Sequence, residues 1–300
     1  MMRNWISILW KFGRPHTILG SFVSVTSIFL LVNAKQIGEA DWFLHWLPAI
    51  VVALLCNLFI TGLNQNTDIE VDMKNKPWLP IPAGLITKKE AFIIVTIAGI
   101  ASLVIAYLFS FALFVLIIAI MLLGIAYSVE PIRLKRHHVY AALAIVAVRG
   151  ILINAGFYSV FKELNDNVGL LDPIVWPITA FVVFFSLGIA WFKDLPDVAG
   201  DKEFNFNTLA VTSGKTSAFR FGVVAVILAY ASVIISALLG YLPNPNFYVL
   251  THIIGLGIFL FACARLDINH DQQIKSFYML FWVLFFAEYV VYTVGVFIDI

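Results

Sequence analysis

Between Ala91 and Val129 the chain carries no Asp, Glu, Lys, Arg or His. Wound as a single α-helix at 1.5 Å per residue, this run would be roughly twice as long as the hydrocarbon core of a bilayer is thick. It therefore predicts two membrane-crossing helices that fold back on each other, with the reversal near Ser110. Apolar segments of about spanning length recur along the whole chain. Nine are predicted: Ile18–Ala34, Leu47–Gln65, Ala91–Phe109, Ala112–Val129, Val139–Tyr158, Ile174–Phe192, Phe219–Leu239, Phe247–Ala264 and Phe277–Phe297. A polar, amphipathic stretch precedes the first, and no small-residue cleavage site follows it, so it is read as a retained helix.

Composition agrees. Hydrophobic residues make up 61% of the 300 and charged residues 12%, about half the charged share of an ordinary globular chain. This excludes a soluble fold and a disordered chain. A net charge of +1 provides no basic field for nucleic acid. Two cysteines, Cys56 and Cys263, lie in apolar runs, too few for a disulfide framework or a zinc site. The expected class is all-α: one polytopic transmembrane domain over residues 1–300, with the bilayer as its environment and no obligate protein partner implied.

Lysine and arginine set the orientation. Of 19 such residues, the nine-helix layout places sixteen, from Arg3 to Lys275, on one side and only Lys35 and Lys162 on the other; Arg149 falls inside a span. A missed or extra helix would scramble that asymmetry. The N-terminus and the long polar connections are expected on the cytoplasmic side, or the stromal or matrix side in an organelle.

Two acidic clusters end the second and sixth apolar segments on this positive side. In the first, Asn64, Asp68 and Asp72 are spaced i, i+4, i+8; in the second, Asp194, Asp197 and Asp201 are spaced i, i+3, i+7. On continuous helices each set forms one stripe of oxygen ligands. Glu70 falls off the first stripe and is expected to face water. Either stripe alone could be a solvated helix end. Two stripes at one membrane face repel themselves unless a cation intervenes. Mg²⁺ takes one or two carboxylates together with water and phosphate oxygens, so the pair suits a diphosphate bridged by Mg²⁺. If the clusters belong to a pseudo-repeat, they face each other across a bundle.

Basic residues lie nearby: Lys74 and Lys76 after the first cluster, Arg133, Lys135 and Arg136 in a later loop, and Lys193 and Lys202 around the second cluster. They either hold phosphate oxygens or merely fix topology; Lys76 and Lys135 are the stronger ligand candidates. Arg149, as an intramembrane charge, is expected to pair with a cavity Asp or to bind an acidic substrate group. Glu288 is read as a structural hydrogen-bond partner and His16 as an interfacial residue. Some of the 27 phenylalanines could line a tunnel for an isoprenoid tail or shield a carbocation.

These motifs resemble the UbiA-type intramembrane aromatic prenyltransferases over nearly the whole chain. Within that superfamily, Arg14-Pro15-His16-Thr17-Ile18, Asp68-Ile69-Glu70-Val71-Asp72, Asn75-Lys76-Pro77, Tyr127-Ser128, Arg133-Leu134-Lys135-Arg136 and Lys193-Asp194-Leu195-Pro196-Asp197 resemble the homogentisate prenyltransferase branch. The resemblance implies a ring of nine helices around a central cavity open laterally to lipid. It implies that Asn64, Asp68 and Asp72 hold one Mg²⁺, that Asp197 and Asp201 hold another with Asp194 assisting, and that Lys76 and Lys135 bind diphosphate oxygens, with Tyr127 and Arg149 among the substrate contacts. The implied substrates are a prenyl diphosphate and an aromatic acceptor, homogentisate, which loses its carboxyl group as CO₂. In this sequence Trp78 stands where many relatives carry arginine. The alternatives are another member of the superfamily, acting on 4-hydroxybenzoate, a menaquinone precursor, chlorophyll or haem, and, from another class, a cation-coupled transporter. A transporter places its charges near the midplane, whereas these carboxylates end spans on one face.

Overall fold

A computed structural model describes residues 4–167 and 169–298; Arg3, counted above on the positive side, lies outside them. Among the described residues, nine helices are long and apolar enough to cross a membrane. They are Pro15–Val32, Trp42–Thr67, Lys88–Phe109, Phe111–Ser128, His138–Leu164, Val175–Phe192, Lys215–Leu238, Pro245–Arg265 and Asp271–Phe297, spans 1 to 9 below. Each overlaps one expected segment.

Local chemistry sets several of the ends. Ser110 is extended (φ −158°, ψ 134°) and its hydroxyl accepts from Leu113 N at 3.2 Å, ending span 3 and capping span 4. Thr87 and Glu90 form a reciprocal capping box at the start of span 3. Several spans outrun expectation, span 9 by starting at Asp271 and two others with π-helical winding. Span 2 begins with a π-helical turn, Trp42–Trp46, and span 5 runs on to Leu164 through a π-helical stretch, Val146–Gly156. The wider winding consumes residues without advancing the axis as an α-helix would.

The spans form a closed ring. Consecutive spans pack against each other, and span 9 returns onto span 1. Away from the polar loops, span 1 also packs on the end of span 5, with the rings of Phe29 and Phe161 edge to face at 5.2 Å. Gly62 allows a close approach in span 2: a Cβ there would lie 2.6 Å from both Phe12 and Val95. The short helix Trp5–Phe12 is thereby seated on span 2, and Gln65 Nε2 donates to the Phe12 carbonyl at 2.6 Å. Outward faces are apolar, for example Phe92, Ile97 and Leu108 of span 3 and Leu250 and Phe261 of span 8, as a lipid solvent requires. A cavity of about 740 Å³ lies within the ring, lined from spans 1, 2, 4, 5, 6 and 9 and by the polar loops at one end.

Candidate active site

The first acidic cluster differs from the expected stripe. Span 2 stops at Thr67, Asp68 leaves helical geometry (φ −114°, ψ 21°), and a separate short helix runs Ile69–Asn75. The cause is tertiary. From the loop after span 4, Lys135 Nζ reaches an Asp68 carboxylate oxygen at 2.7 Å and Arg133 Nη2 reaches Asp68 Oδ1 at 2.9 Å; Lys135 also donates to Thr67 Oγ1 at 3.0 Å. Asn64, Asp68 and Asp72 still all line the cavity, and Glu70 is exposed as expected. Arg14 Nη2 donates to Asn64 Oδ1 at 3.2 Å. Arg14 and Arg133 both carry positive φ, 55° and 37°, a costly conformation for a long side chain that concentrates at sites held by their surroundings.

The second cluster is likewise broken. Span 6 ends at Phe192, Asp194 lies in a turn, Asp197 caps the next helix, and Asp201 is inside that helix, Val198–Glu203. All three line the same cavity as the first cluster, so the two clusters do face each other. Asn75 joins them, its Nδ2 donating to Asp197 O at 3.2 Å and to Asp201 Oδ1 at 3.3 Å. Lys76 forms an ion pair with Asp197, and Lys74 pairs with Glu203 at the exposed rim. Asn207 ties in the third loop: its N–H donates to Arg136 O at 2.7 Å, and its carbonyl accepts from His138 N at 3.1 Å.

Seven basic side chains and five carboxylates line the cavity, an excess of positive charge that favours an anionic ligand. Three carboxylates already have cations. Asp68 is held by Lys135 and Arg133, Asp197 by Lys76, and Asp194 by Lys193 at 3.3 Å. Asp72 and Asp201, one from each cluster, have no ion pair among the described residues, and the buried Asp72 Oδ2 has no hydrogen-bond partner. Burial pushes the Asp72 carboxyl up to about 6 and that of Asp201 up to about 7. Burial lowers the Lys135 ammonium to about 8. At Lys76 burial works against the charge, but the Asp197 carboxylate outweighs it and the ammonium is held above its ordinary value. Among the described residues no three acidic, His or Cys side chains converge tightly enough to hold an ion without rearrangement. The donors are nonetheless all oxygen, and one of them, Asp72 Oδ2, is buried with no partner beside the cavity. That set fits a hard cation completing its shell with water and phosphate oxygens.

Further into the ring, Arg149 lines the cavity from the π-helical part of span 5. It pairs with no cavity Asp, against one of the two expectations. Its guanidinium lies 4.9 Å from the Trp282 ring centroid, within cation–π range. His16 is not merely interfacial: it lines the cavity with its ring 4.8 Å from that of Trp282. Tyr127 lines the wall, and its hydroxyl accepts from Lys193 Nζ at 3.0 Å. Lys193 therefore belongs to the site more firmly than its position beside the cluster suggested. Lys202 does not line the cavity, and Arg136 pairs with Glu130 at 2.8 Å instead. Glu288 is outside the cavity, bonded to His252 Nε2 at 3.1 Å as a buried structural pair. Sequence reasoning missed the site roles of Arg14 and Asn75. Each sits in or beside a motif, but only the fold shows the side it faces.

The chain has relatives of similar sequence and fold. The profile of the UbiA prenyltransferase family matches residues 22–285. A homogentisate phytyltransferase from Synechocystis sp. is 35% identical over 96% of this chain and 94% of its own length. A chloroplastic homogentisate solanesyltransferase from Arabidopsis thaliana is 36% identical over 94% of this chain and 75% of its own. The fold is similar to that of a UbiA homologue from Archaeoglobus fulgidus, solved with GPP and Mg²⁺, at a TM-score of 0.67 and 15% identity over 96% of this chain and 99% of that one. An integral, multi-pass membrane protein with nine apolar helices among its described residues, this chain belongs to the UbiA prenyltransferase family.

Proposed function

We propose that the whole chain works as one transmembrane prenyltransferase domain that moves a prenyl group from a prenyl diphosphate to homogentisate. The observation that carries this reading is the meeting of Asp68, Asp72, Asp197 and Asp201 at one mouth of a single apolar cavity, each cluster interleaved with lysines and arginines. Relatives named for homogentisate at about 35% identity support the acceptor, and a related fold solved with GPP and Mg²⁺ supports the donor and the metal. The N-terminus and polar loops face the cytoplasm, or the stroma or matrix, following the lysine and arginine asymmetry.

Asn64, Asp68 and Asp72 would hold one Mg²⁺ and Asp194, Asp197 and Asp201 a second. When bound, Mg²⁺ offsets the negative charge that builds on the leaving diphosphate. Lys76, Lys135, Lys193 and Arg14 hold phosphate oxygens and draw off the same charge as the allylic C–O bond breaks. Carboxylate partners hold the three lysines, and the Asn64 amide oxygen holds Arg14, until the anion arrives. The allylic cation then lies against apolar and aromatic walls that keep water away. The electron-rich acceptor ring attacks it and sheds a proton at the substituted carbon, while the acceptor's carboxylate leaves as CO₂ and the side-chain carbon it leaves takes up a proton in its place. Arg149, charged and free of carboxylates, binds the acceptor carboxylate before it departs.

Product mass spectrometry tests this reading. The purified chain is incubated with homogentisate and a set of prenyl diphosphates, with and without a chelator. A decarboxylated prenyl hydroquinone that disappears with chelator is expected. Turnover of 4-hydroxybenzoate but not homogentisate would transfer the chain to another branch of the family.

A further inference from the structure

The part of span 5 that carries Arg149 is wound as a π-helix from Val146 to Gly156. Such segments are strained relative to an α-helix and gather at functional sites. This one is held from three directions. Asn154, fully buried, donates its Nδ2 back to two carbonyls, Gly150 O at 2.8 Å and Arg149 O at 3.0 Å. Its Oδ1 accepts from the Tyr289 hydroxyl of span 9 at 2.8 Å. On the third side Gly150 lies flush with span 6: a Cβ there would stand 2.6 Å from Val183 Cγ2 and 3.0 Å from Val183 Cα.

Tyr289 and Trp282 are seven residues apart on span 9 and so share one face of that helix. That face touches the Arg149 segment twice, with the Trp282 ring against the guanidinium and the Tyr289 hydroxyl against Asn154. Arg149 has no ion pair and no side-chain hydrogen bond among the described residues. Its aim depends on where its backbone is held and on the ring it lies over.

We propose that Asn154 and Tyr289 are positioning residues: their hydrogen bonds hold the π-wound turn so that Arg149 points at the carboxylate of an aromatic acceptor. The inference rests on the assignment of Arg149 to that carboxylate. Asn154 touches no substrate and acts only through the carbonyls of residues 149 and 150. Loosening the turn lets the guanidinium swing, which weakens binding of a carboxylate more than binding of the same ring without charge.

The test compares equilibrium binding of homogentisate and of its methyl ester to the purified full chain, without prenyl donor. Wild type is expected to prefer the acid by about tenfold, one charged hydrogen-bonded contact. Arg149→Gln is expected to abolish that preference. Asn154→Leu and Tyr289→Phe are expected to cut it at least threefold while ester binding and the KM for prenyl diphosphate stay unchanged. Tyr289→Phe keeps the ring and removes one hydrogen bond, so it decides the matter if Asn154→Leu does not fold. If Arg149→Gln loses the preference but Tyr289→Phe and any folded Asn154→Leu retain it, the positioning role is overturned and the carboxylate assignment stands. If wild type shows no preference, or Arg149→Gln keeps it, the carboxylate assignment itself falls and the brace has nothing to aim.

Discussion

Asn75 occupies the space that a side chain at Gly200 would need, and from there it bonds to both Asp197 and Asp201. Two loops more than a hundred residues apart are thus closed on each other by an amide lying over a bare backbone. Gly200→Ala would favour the helix Val198–Glu203 by about 1 kcal/mol through propensity. Overpacking costs roughly 1–3 kcal/mol, and relieving it by moving Asn75 gives up the two hydrogen bonds between the clusters. The clash wins. The variant should fold, but the KM for prenyl diphosphate should rise about tenfold or more. An unchanged KM would mean that the spacing of the two loops does not matter to the donor.

The unpaired carboxylates set a pH dependence. Burial holds Asp72 up to about 6 and Asp201 up to about 7. An unfolded chain releases those protons near pH 4. The folded protein therefore binds more protons than the unfolded one in between. That stability is complete below about pH 4 and is lost as the pH rises through 6 and 7. Metal-free protein should melt at a lower temperature at pH 7.5 than at pH 5, a window in which Lys135, half-titrated at about 8, stays mostly charged. A cation that binds the ionised pair reverses the loss, so the rise in melting temperature on adding Mg²⁺ should be larger at pH 7.5. A larger Mg²⁺ effect at pH 5 would contradict this placement of the metal.

The buried cation pairs around Asp68 predict an asymmetry. Asp68→Ala leaves Lys135 and Arg133 facing each other without the carboxylate that both of them hold. Lys135→Met leaves Asp68 still bonded to Arg133. Stripping a buried charge of its partner costs about 3–5 kcal/mol, and only the first variant does so. Asp68→Ala should abolish turnover and lower the melting temperature. Lys135→Met should melt closer to wild type and retain measurable turnover with a raised KM for the diphosphate. The reverse order of melting temperatures would show that Arg133, not Asp68, is the centre of this network.

How much of this was legible beforehand divides along physical lines. The spans could be read because a bilayer demands long apolar runs, and Ser110 because a capping hydroxyl interrupts one of them. Asp68, Asp72, Asp197 and Asp201 could be read because carboxylates at the ends of such runs are expensive. The break at Asp68 could not. Spacing of i+4 looks the same on a continuous helix as across a kink, and the kink is made by Lys135 and Arg133, which arrive from a loop two spans later. The π-winding around Arg149 was equally silent, since its apolar residues suit either helix. Arg14 and Asn75 were visible as motif residues, but their direction depends on φ at residue 14 and on the bare surface at Gly200.

The remaining intramembrane charge, Glu288, gives a prediction separate from the reaction. It is buried in span 9, and both its carboxylate oxygens lie within 3.2 Å of His252 Nε2 in span 8, while His252 Nδ1 meets the Tyr248 carbonyl at 2.7 Å. Neither residue lines the cavity. Span 8 has few buried side chains along its length, and this pair ties it to span 9 alongside the hydrogen bond from the Tyr248 hydroxyl to Tyr292 O at 2.8 Å. Hydrogen bonds between membrane helices are worth about 1–2 kcal/mol. Glu288→Leu should therefore lower the unfolding temperature of the protein in detergent, and His252→Leu should do the same. The double variant should cost less than the sum of the two, because no polar group is then left buried without a partner. All three should keep wild-type KM values for donor and acceptor, measured on the folded fraction. A selective rise in the acceptor KM in Glu288→Leu would instead place this pair in communication with the site, and additive losses of stability would show that the two side chains do not act through each other.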